Sequence, residues 1–113
     1  MKKIILLFLT VLFLTACGGN ESSLTMNDFK EAFEKEGIPV DLEEKPMYQM
    51  INAKDGVIFH NDVKVVKIYQ FHSSEDIKEA KKTYDFMEDW PENGLFVLET
   101  NDEKSVEIFN SVK

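Results

Sequence analysis

The first seventeen residues limit how the rest of this chain can fold. Lys2 and Lys3 are positively charged, residues 4–14 are almost wholly apolar, and Cys17 is the only cysteine among the 113 residues. As a helix, the apolar run spans about 16 Å, roughly half of a hydrocarbon core, which is typical of an export signal and too short for a permanent transmembrane helix. Removal of residues 1–16 leaves 97 residues, enough for one domain that folds without a disulfide.

The segment ends with Leu14, Thr15, Ala16 and Cys17. These residues resemble the lipobox of bacterial lipoproteins, in which Leu, a small or polar residue, and Ala or Gly precede a cysteine. The resemblance covers residues 1–20 and implies that Cys17 receives a thioether-linked diacylglyceryl group and that a signal peptidase cuts before it. Two acyl chains hold a protein on a bilayer. The resemblance therefore predicts a lipid-anchored protein on the extracytoplasmic face of the cell membrane; an ordinary secretory signal with an incidental cysteine is the alternative.

The mature chain predicted in this way is strongly acidic. It keeps eleven lysines and all 21 acidic residues, a net charge of −10 with histidine neutral, and the sequence contains no arginine. Such a chain neutralises phosphates poorly, which argues against nucleic-acid binding, and anionic lipid headgroups repel it. We therefore expect the domain to stand off the bilayer on residues 17–23, a tether that reaches about 20 Å when extended.

Residues 24–113 are predicted to form a single domain that begins with a helix. Thr25 and Asp28 have the spacing of a capping box, which places the helix over about residues 26–36. Gly37 is the expected C-terminal stop, since the left-handed backbone that ends many helices favours glycine.

Two shorter elements are expected next. Residues 38–42 alternate apolar and polar side chains, which favours a short edge strand. Pro46 is suited to begin a helical turn, because Met47, Met50 and Ile51 follow it at helical spacing.

A β-hairpin is predicted over residues 57–71. Its strands are Val57–His60 and Val63–Phe71, joined at Asn61 and Asp62, and the second strand is rich in β-branched and aromatic residues. Because the second strand carries apolar side chains on both faces, we expect it to be central in the sheet.

The remaining sequence completes an α+β pattern. Ser73 caps a long helix that continues to Pro91, a strand follows over residues 95–100, and Asn101 caps a final helix. The order of elements predicts a small, largely antiparallel sheet of three to four strands with two to three helices packed on one face.

His60, Asp62 and His72 are the candidate metal or acid–base residues. Antiparallel pairing places the two imidazoles at opposite ends of the hairpin, and two histidines without a third assured ligand are a weak zinc pattern. Incidental surface histidines are the alternative interpretation. The acidic runs lack the spacing of a calcium loop, so neither a metal nor another cofactor is expected.

Two stretches, MYQM and FMEDW, combine methionine with aromatic residues. Such side chains exposed together are typical of partner surfaces, because they bury a large area and adapt in shape. Helical spacing assigns Tyr84 and Met87 to the core, which leaves Phe86 and Trp90 as candidates for partner contact. Packing of all these residues in the core is the alternative.

The sequence offers little for catalysis, since it contains no nucleophile elbow and no glycine-rich phosphate loop. We therefore expect no enzyme but a membrane-anchored accessory module that contacts an unidentified envelope protein. A small-ligand or metal-binding lipoprotein is the second hypothesis, and a phage or mobile-element lipoprotein that blocks DNA entry is the third.

Overall fold

The computed structural model describes residues 24–113, so the signal segment, the lipobox and the tether lie outside the described residues. The described chain contains three α-helices, α1 (Met26–Lys35), α2 (Ser74–Thr83) and α3 (Glu103–Ser111). Its four strands are β1 (Asp55–Asn61), β2 (Lys64–Gln70), β3 (Glu92–Asn93) and β4 (Phe96–Thr100). Two short 3-10 helices, Tyr48–Ile51 and Asp85–Met87, precede β1 and follow α2.

The four strands form one antiparallel sheet in the order β1-β2-β4-β3. Val57 pairs with Ile68, which in turn pairs with Leu98 on the other side. The second strand of the hairpin is therefore central, as its apolar residues on both faces predicted. With the helices packed against this sheet, the predicted α+β class is confirmed.

Local sequence motifs set both ends of α1. The Thr25 hydroxyl accepts a hydrogen bond from the Asp28 N–H at 3.3 Å, and the Asp28 carboxylate accepts one from the Thr25 N–H at 2.8 Å. At the other end Gly37 has a φ of 84°, and the Ile38 N–H donates to the Phe33 carbonyl at 3.0 Å. This Schellman arrangement places a residue in left-handed backbone, which glycine adopts without strain. The predicted boundaries of the helix are confirmed to within one residue.

The main core lies between the sheet and the helices α1 and α3. Phe29 is fully buried, and its ring centroid lies 4.6 Å from that of Phe96 and 5.0 Å from that of Phe109. One side chain of α1 thus contacts both a strand and the last helix. Phe33 packs edge-on against Phe59 at 4.9 Å. The other buried members are Ile38, Val40, Val57, Val66, Ile68, Leu98, Ile108 and Val112.

A second cluster of buried residues lies on the opposite face of the sheet. Tyr69 and Val97 alternate with main-core residues along β2 and β4, so their side chains point away from α1 and α3. They belong to one cluster with Ile77 and Ala80 of α2 and with Met87. The other buried members are Ile51, Ala53 and Phe71. Two helices, α1 and α3, thus pack on one face of the sheet, and α2 packs on the other face.

The edge strand predicted over residues 38–42 is wrong. Ile38 and Val40 are buried in the main core, but the backbone around them is irregular and turns at Asp41. The Asp41 carboxylate accepts a hydrogen bond from the Glu43 N–H at 3.0 Å. A side-chain bond of this kind offers the backbone an alternative to a strand ladder, so the alternating pattern reports burial without a strand.

The helix predicted to reach Pro91 is shorter than expected. Ser73 caps α2 as predicted, but the helix ends at Thr83, and Tyr84 is extended with φ −116° and ψ 99°. Beyond this break the chain folds over the sheet, where the Trp90 ring stacks on a tyrosine of β2. Tertiary packing of Trp90 therefore prevails over the helical pattern of the sequence.

Two further predictions are wrong by one residue. The hairpin turn consists of Asp62 and Val63, while Asn61 still belongs to β1. Asp62 has a φ of 61°, a left-handed conformation that aspartate tolerates better than most residues. The N-cap of α3 is Asp102 and not Asn101.

Asp102 joins the hairpin to α3. Its carboxylate accepts hydrogen bonds from the Ser105 hydroxyl at 2.6 Å, the Ser105 N–H at 3.3 Å and the Asn61 amide at 2.8 Å. The Lys64 ammonium lies 3.9 Å away. The bond from Asn61, followed by those from Ser105 and the charge of Lys64, lowers the pKa of Asp102 in spite of its burial.

Asp102→Ala is expected to lower the free energy of unfolding by about 2 kcal/mol near neutral pH, because it removes a helix cap and leaves the Asn61 amide without its acceptor. A lowered pKa stabilises the fold above the ordinary carboxyl pKa of about 3.9, and this stabilisation is lost as the pH falls through the folded-state value. Urea unfolding over a pH series should therefore show the difference between parent and variant shrinking in acid. Asp102→Asn, which keeps an oxygen acceptor for the cap, should lose less. Equal stability of parent and Asp102→Ala at neutral pH would contradict the role of Asp102 as the cap of α3 and the acceptor for Asn61.

Candidate functional site

Part of the sheet face opposite α1 and α3 remains accessible. Ile58, Lys67 and Glu99 lie side by side there, in register on β1, β2 and β4, and all three are half-buried. Because side chains alternate along a strand, these three point away from the main core. They form the floor of the candidate site.

Two segments from distant parts of the chain border this floor. One brings Met47 and Met50, which are 72% and 66% exposed, and the other brings Phe86, which is 62% exposed, and Trp90. Together with the floor they enclose a shallow groove with a volume of about 410 Å³, which we call the open-face groove. Its lining residues are Pro46, Met47, Met50, Ile51, Ile58, Lys67, Tyr69, Phe86, Trp90 and Glu99.

A glycine on β1 allows the methionine segment to lie against the sheet. A Cβ at Gly56 would be 3.1 Å from Cγ of Pro46 and 3.2 Å from Cβ of Tyr48, closer than side chains ordinarily pack. Beside it the Ile58 N–H donates to the Glu44 carbonyl at 3.0 Å. The missing side chain at position 56 therefore helps to set the position of one wall of the groove.

The two methionine-containing stretches, singled out separately in the sequence, meet at this groove. The helical turn predicted after Pro46 is confirmed as a 3-10 helix, and it leaves Met47 and Met50 exposed. Phe86 is exposed as expected, whereas Trp90 is only half-exposed. The core assignment holds for the fully buried Met87 and in part for the half-buried Tyr84.

Trp90 forms a wall of the groove. Its ring is almost parallel to that of Tyr69, with an interplanar angle of 6° and centroids 5.8 Å apart. The centroid of the Phe86 ring lies 5.6 Å from that of the Trp90 ring. Phe86 is the more exposed of the two predicted contact residues. The Trp90 ring packs against the rings of both Phe86 and Tyr69.

The groove has a polar centre that the sequence did not identify. The Tyr69 hydroxyl donates to the Glu99 carboxylate at 2.8 Å, and the Lys67 ammonium lies 3.8 Å from the same oxygen. Burial, then the hydrogen bond to Glu99 and its charge, raises the pKa of Tyr69 well above its usual range. Tyr69 therefore stays neutral and donates to the carboxylate at physiological pH. Lys67 and Tyr69 share one face of β2 by alternation, but only strand register brings Glu99 to them, so spacing along the chain gave no signal for the three together.

A second concave region of about 650 Å³ continues along β2 and β4. It shares Lys67, Trp90 and Glu99 with the open-face groove and extends to Val63 and Val65, which are 90% and 40% exposed. The accessible surface is thus longer than the groove alone and combines apolar with charged side chains.

Both edges of the sheet are covered where they adjoin the groove. On the edge strand β1 the Ile58 N–H bonds to the Glu44 carbonyl at 3.0 Å. On the other side, β3 pairs with only two residues of β4, and next to them the Leu98 N–H of β4 bonds to the Pro91 carbonyl at 3.0 Å. These bonds occupy outward-facing backbone groups that an added strand would use. Next to the groove, the accessible part of the sheet is therefore its face.

The candidate metal residues do not meet. His60 lies near the hairpin turn that contains Asp62, and His72 follows the far end of β2, so the imidazoles lie at opposite ends of the hairpin as predicted. Within residues 24–113, no group of three or more His, Cys, Asp or Glu side chains is placed to hold a metal ion. Cys17, the predicted lipidation site, lies outside the described residues.

No described protein family, curated protein or solved structure is significantly similar to this chain. Among the helices of residues 24–113, none has the length and apolar character needed to cross a bilayer.

Proposed function

We propose that this protein is a lipoprotein of the extracytoplasmic membrane face whose domain, residues 24–113, binds another envelope protein through the open-face groove. The observation that carries the proposal is the convergence of Met47, Met50 and Phe86, all largely exposed, with the stacked Trp90 on one surface. The domain acts as an accessory module without chemistry of its own.

The energetics of these side chains favour a binding role. Full burial of a methionine or phenylalanine side chain contributes about 1.5–3 kcal/mol, so three exposed side chains represent a substantial gain available to a partner. Exposed apolar residues scattered singly need no explanation, but a group of them around one concavity is typical of an interaction site. Methionine also adapts its shape to what it contacts.

The N-terminal sequence supports the proposed location. Leu14, Thr15, Ala16 and Cys17 have the lipobox pattern, and a diacylglyceryl group on Cys17 would supply the two acyl chains that stable anchoring needs. The tether of residues 17–23 reaches only about 20 Å. The partner is therefore expected in the membrane or close to its surface.

A photo-crosslinking amino acid at position 86, introduced into the full chain in its native host, tests the proposal. Irradiation is expected to give a discrete protein adduct, because Phe86 projects at the rim of the groove. Glu107 is the matched control position, since it is exposed on α3 at the other face of the sheet. The same adducts from both positions, or none from position 86, would contradict a specific contact at the groove.

The alternatives drawn from the sequence gain no comparable support. In the described residues the metal hypothesis lacks an assembled set of ligands, and no residue there points specifically to a role in blocking DNA entry.

A further inference from the structure

The large exposed apolar side chains of the domain are confined to one face of the sheet. In the described chain there are five of them, and each lines either the open-face groove or the concave region that continues from it along β2 and β4. They are Met47, Met50, Val63, Val65 and Phe86. An apolar surface concentrated in this way is typical of a place where another protein binds.

The two walls of the groove reach it from opposite sides of the sheet. Met47 and Met50, here called the methionine wall, belong to the segment that adjoins the edge strand β1. Phe86 and Trp90, here called the aromatic wall, belong to the segment that bonds to the outer side of β4. The groove is therefore bordered by flexible thioethers on one side and by aromatic rings on the other.

Two charged residues lie between these walls. Lys67 on β2 and Glu99 on β4 are paired in register, and 3.8 Å separates the ammonium from the carboxylate. Among the described residues that line the groove, they are the only charged ones. The order across the sheet is therefore methionine wall, lysine, glutamate and aromatic wall.

This order is complementary to its own reverse. A two-fold axis between β2 and β4, parallel to both strands, places Lys67 of one copy of the chain opposite Glu99 of another. The same rotation places the methionine wall opposite the aromatic wall, and methionine sulfur makes favourable contacts with aromatic rings. An axis at right angles to the strands would instead set lysine against lysine and glutamate against glutamate. A two-fold interface brings the same patch of both copies together, so the patch must complement itself, as this one does.

The shape of the groove is compatible with such a pair. Because the groove is shallow, the walls of the two copies can meet while the long side chains of Lys67 and Glu99 occupy the space between the two floors. Each lysine then lies between a glutamate of its own chain and one of the other chain. Elsewhere the large excess of acidic residues opposes contact between copies.

The predicted tethers also suit a two-fold pair. Rotation about an axis does not change height along it, so with the axis upright on the bilayer Leu24 has the same height in both copies. Both tethers of residues 17–23, each of which reaches about 20 Å, then lead to one membrane. Confinement to one membrane raises the effective concentration of each copy for the other, so an interface of modest area suffices.

We propose, as a refinement that rests on the proposed function, that the envelope protein bound at the open-face groove is a second copy of this chain. The two copies pair face to face about an axis parallel to β2 and β4. Lys67 and Glu99 select this orientation, and the methionine and aromatic walls supply the apolar contact.

A photo-crosslinker in place of Met50 tests the pairing in the full chain, expressed in its native host with two different tags. The two-fold axis sets position 50 opposite the aromatic wall, so irradiation is expected to join copies that carry different tags. The sequence has no lysine between Lys82 and Lys104, so cleavage after lysine leaves the aromatic wall within residues 83–104. Mass spectrometry is expected to find the crosslink in this peptide of the other copy. A crosslinker at Glu107 should not join the copies.

Charge reversals at the centre of the groove provide the second arm. Lys67→Glu and Glu99→Lys each place like charges across the axis, so each should lower the yield of joined copies about tenfold or more. A mixture of the two variant chains restores opposite charges at both positions, and the yield between unlike chains should return close to that of the parent. Repair within one chain cannot explain this recovery, because each variant carries two like charges at its centre. Glu107→Lys, a reversal on α3, should leave the yield unchanged.

Two results would overturn the inference. One is a crosslinker at position 50 that joins no copies or joins them outside residues 83–104, and the other is a mixture that does no better than the separate variants. If position 86 captures a different envelope protein while position 50 joins no copies, the proposed function stands and the second copy is rejected. Adducts with lipid alone, or no adduct from either position, would reject both.

Discussion

Cys17→Ala is expected to abolish the incorporation of labelled palmitate into the protein and to stop cleavage before residue 17. The expectation follows from the resemblance to the lipobox, in which the cysteine thiol accepts the diacylglyceryl group and a dedicated signal peptidase then cuts before that cysteine. The variant then lacks the two acyl chains that stable anchoring needs and should appear as an unprocessed or secreted form. Metabolic labelling, mobility on gels and fractionation of membranes together measure the effect.

Thr15→Ser is the matched control for the cysteine variant. It keeps a small polar residue at a lipobox position that tolerates one, so labelling and cleavage should equal those of the parent. A Cys17→Ala chain that is still labelled and still extracted only by detergent would reject the lipoprotein assignment. Cleaved but unlabelled parent protein in the medium would favour an ordinary secretory signal.

Phe29→Ala is expected to lower the free energy of unfolding by about 4 kcal/mol, because it leaves a large cavity among α1, β4 and α3. Phe29 is fully buried, and its ring contacts those of Phe96 and Phe109, so neighbours on both sides lose packing. A domain of this size has a total stability of roughly 5–13 kcal/mol, so the variant approaches the limit of folding. Urea unfolding of residues 24–113, followed by the fluorescence of Trp90, measures the loss.

Phe86→Ala is the matched control, since it makes the same chemical change at a side chain that is 62% exposed. Its cost should be within about 0.5 kcal/mol, as for most surface substitutions. A loss below about 1 kcal/mol for Phe29→Ala would mean that the core collapses around the missing ring. A loss at position 86 as large as at position 29 would mean that Phe86 supports the fold and would weaken its assignment to binding.

Much of the fold was predictable where short-range chemistry decides the backbone. The capping box of Thr25 and Asp28, the stop at Gly37 and the cap at Ser73 all lie within a few residues of the bonds they make. The two caps and the stop depend on the chain next to them, whereas the central position of β2 was inferred from its apolar residues on both faces.

Two of the wrong predictions concern places where a distant contact competes with a local pattern. The stripe that runs past Thr83 suits a longer helix, but stacking of Trp90 on Tyr69 requires the chain to turn back. The cap moves from Asn101 to Asp102, whose carboxylate is also held by Asn61 from the hairpin. In both cases a contact with a residue remote in sequence decides where the helix begins or ends, because the local sequence allows more than one position.

The sequence by itself determined the α+β class, the starts of α1 and α2 and the acidic charge of the chain, because each depends on composition or on neighbours within a turn. It also marked the residues around Met47 and Phe86 as unusual without relating them. Only the tertiary structure decided that these segments meet across Ile58, Lys67 and Glu99, because strand register and the close approach at Gly56 set that geometry. The groove is a property of the assembled sheet, and no spacing along the chain encodes it directly.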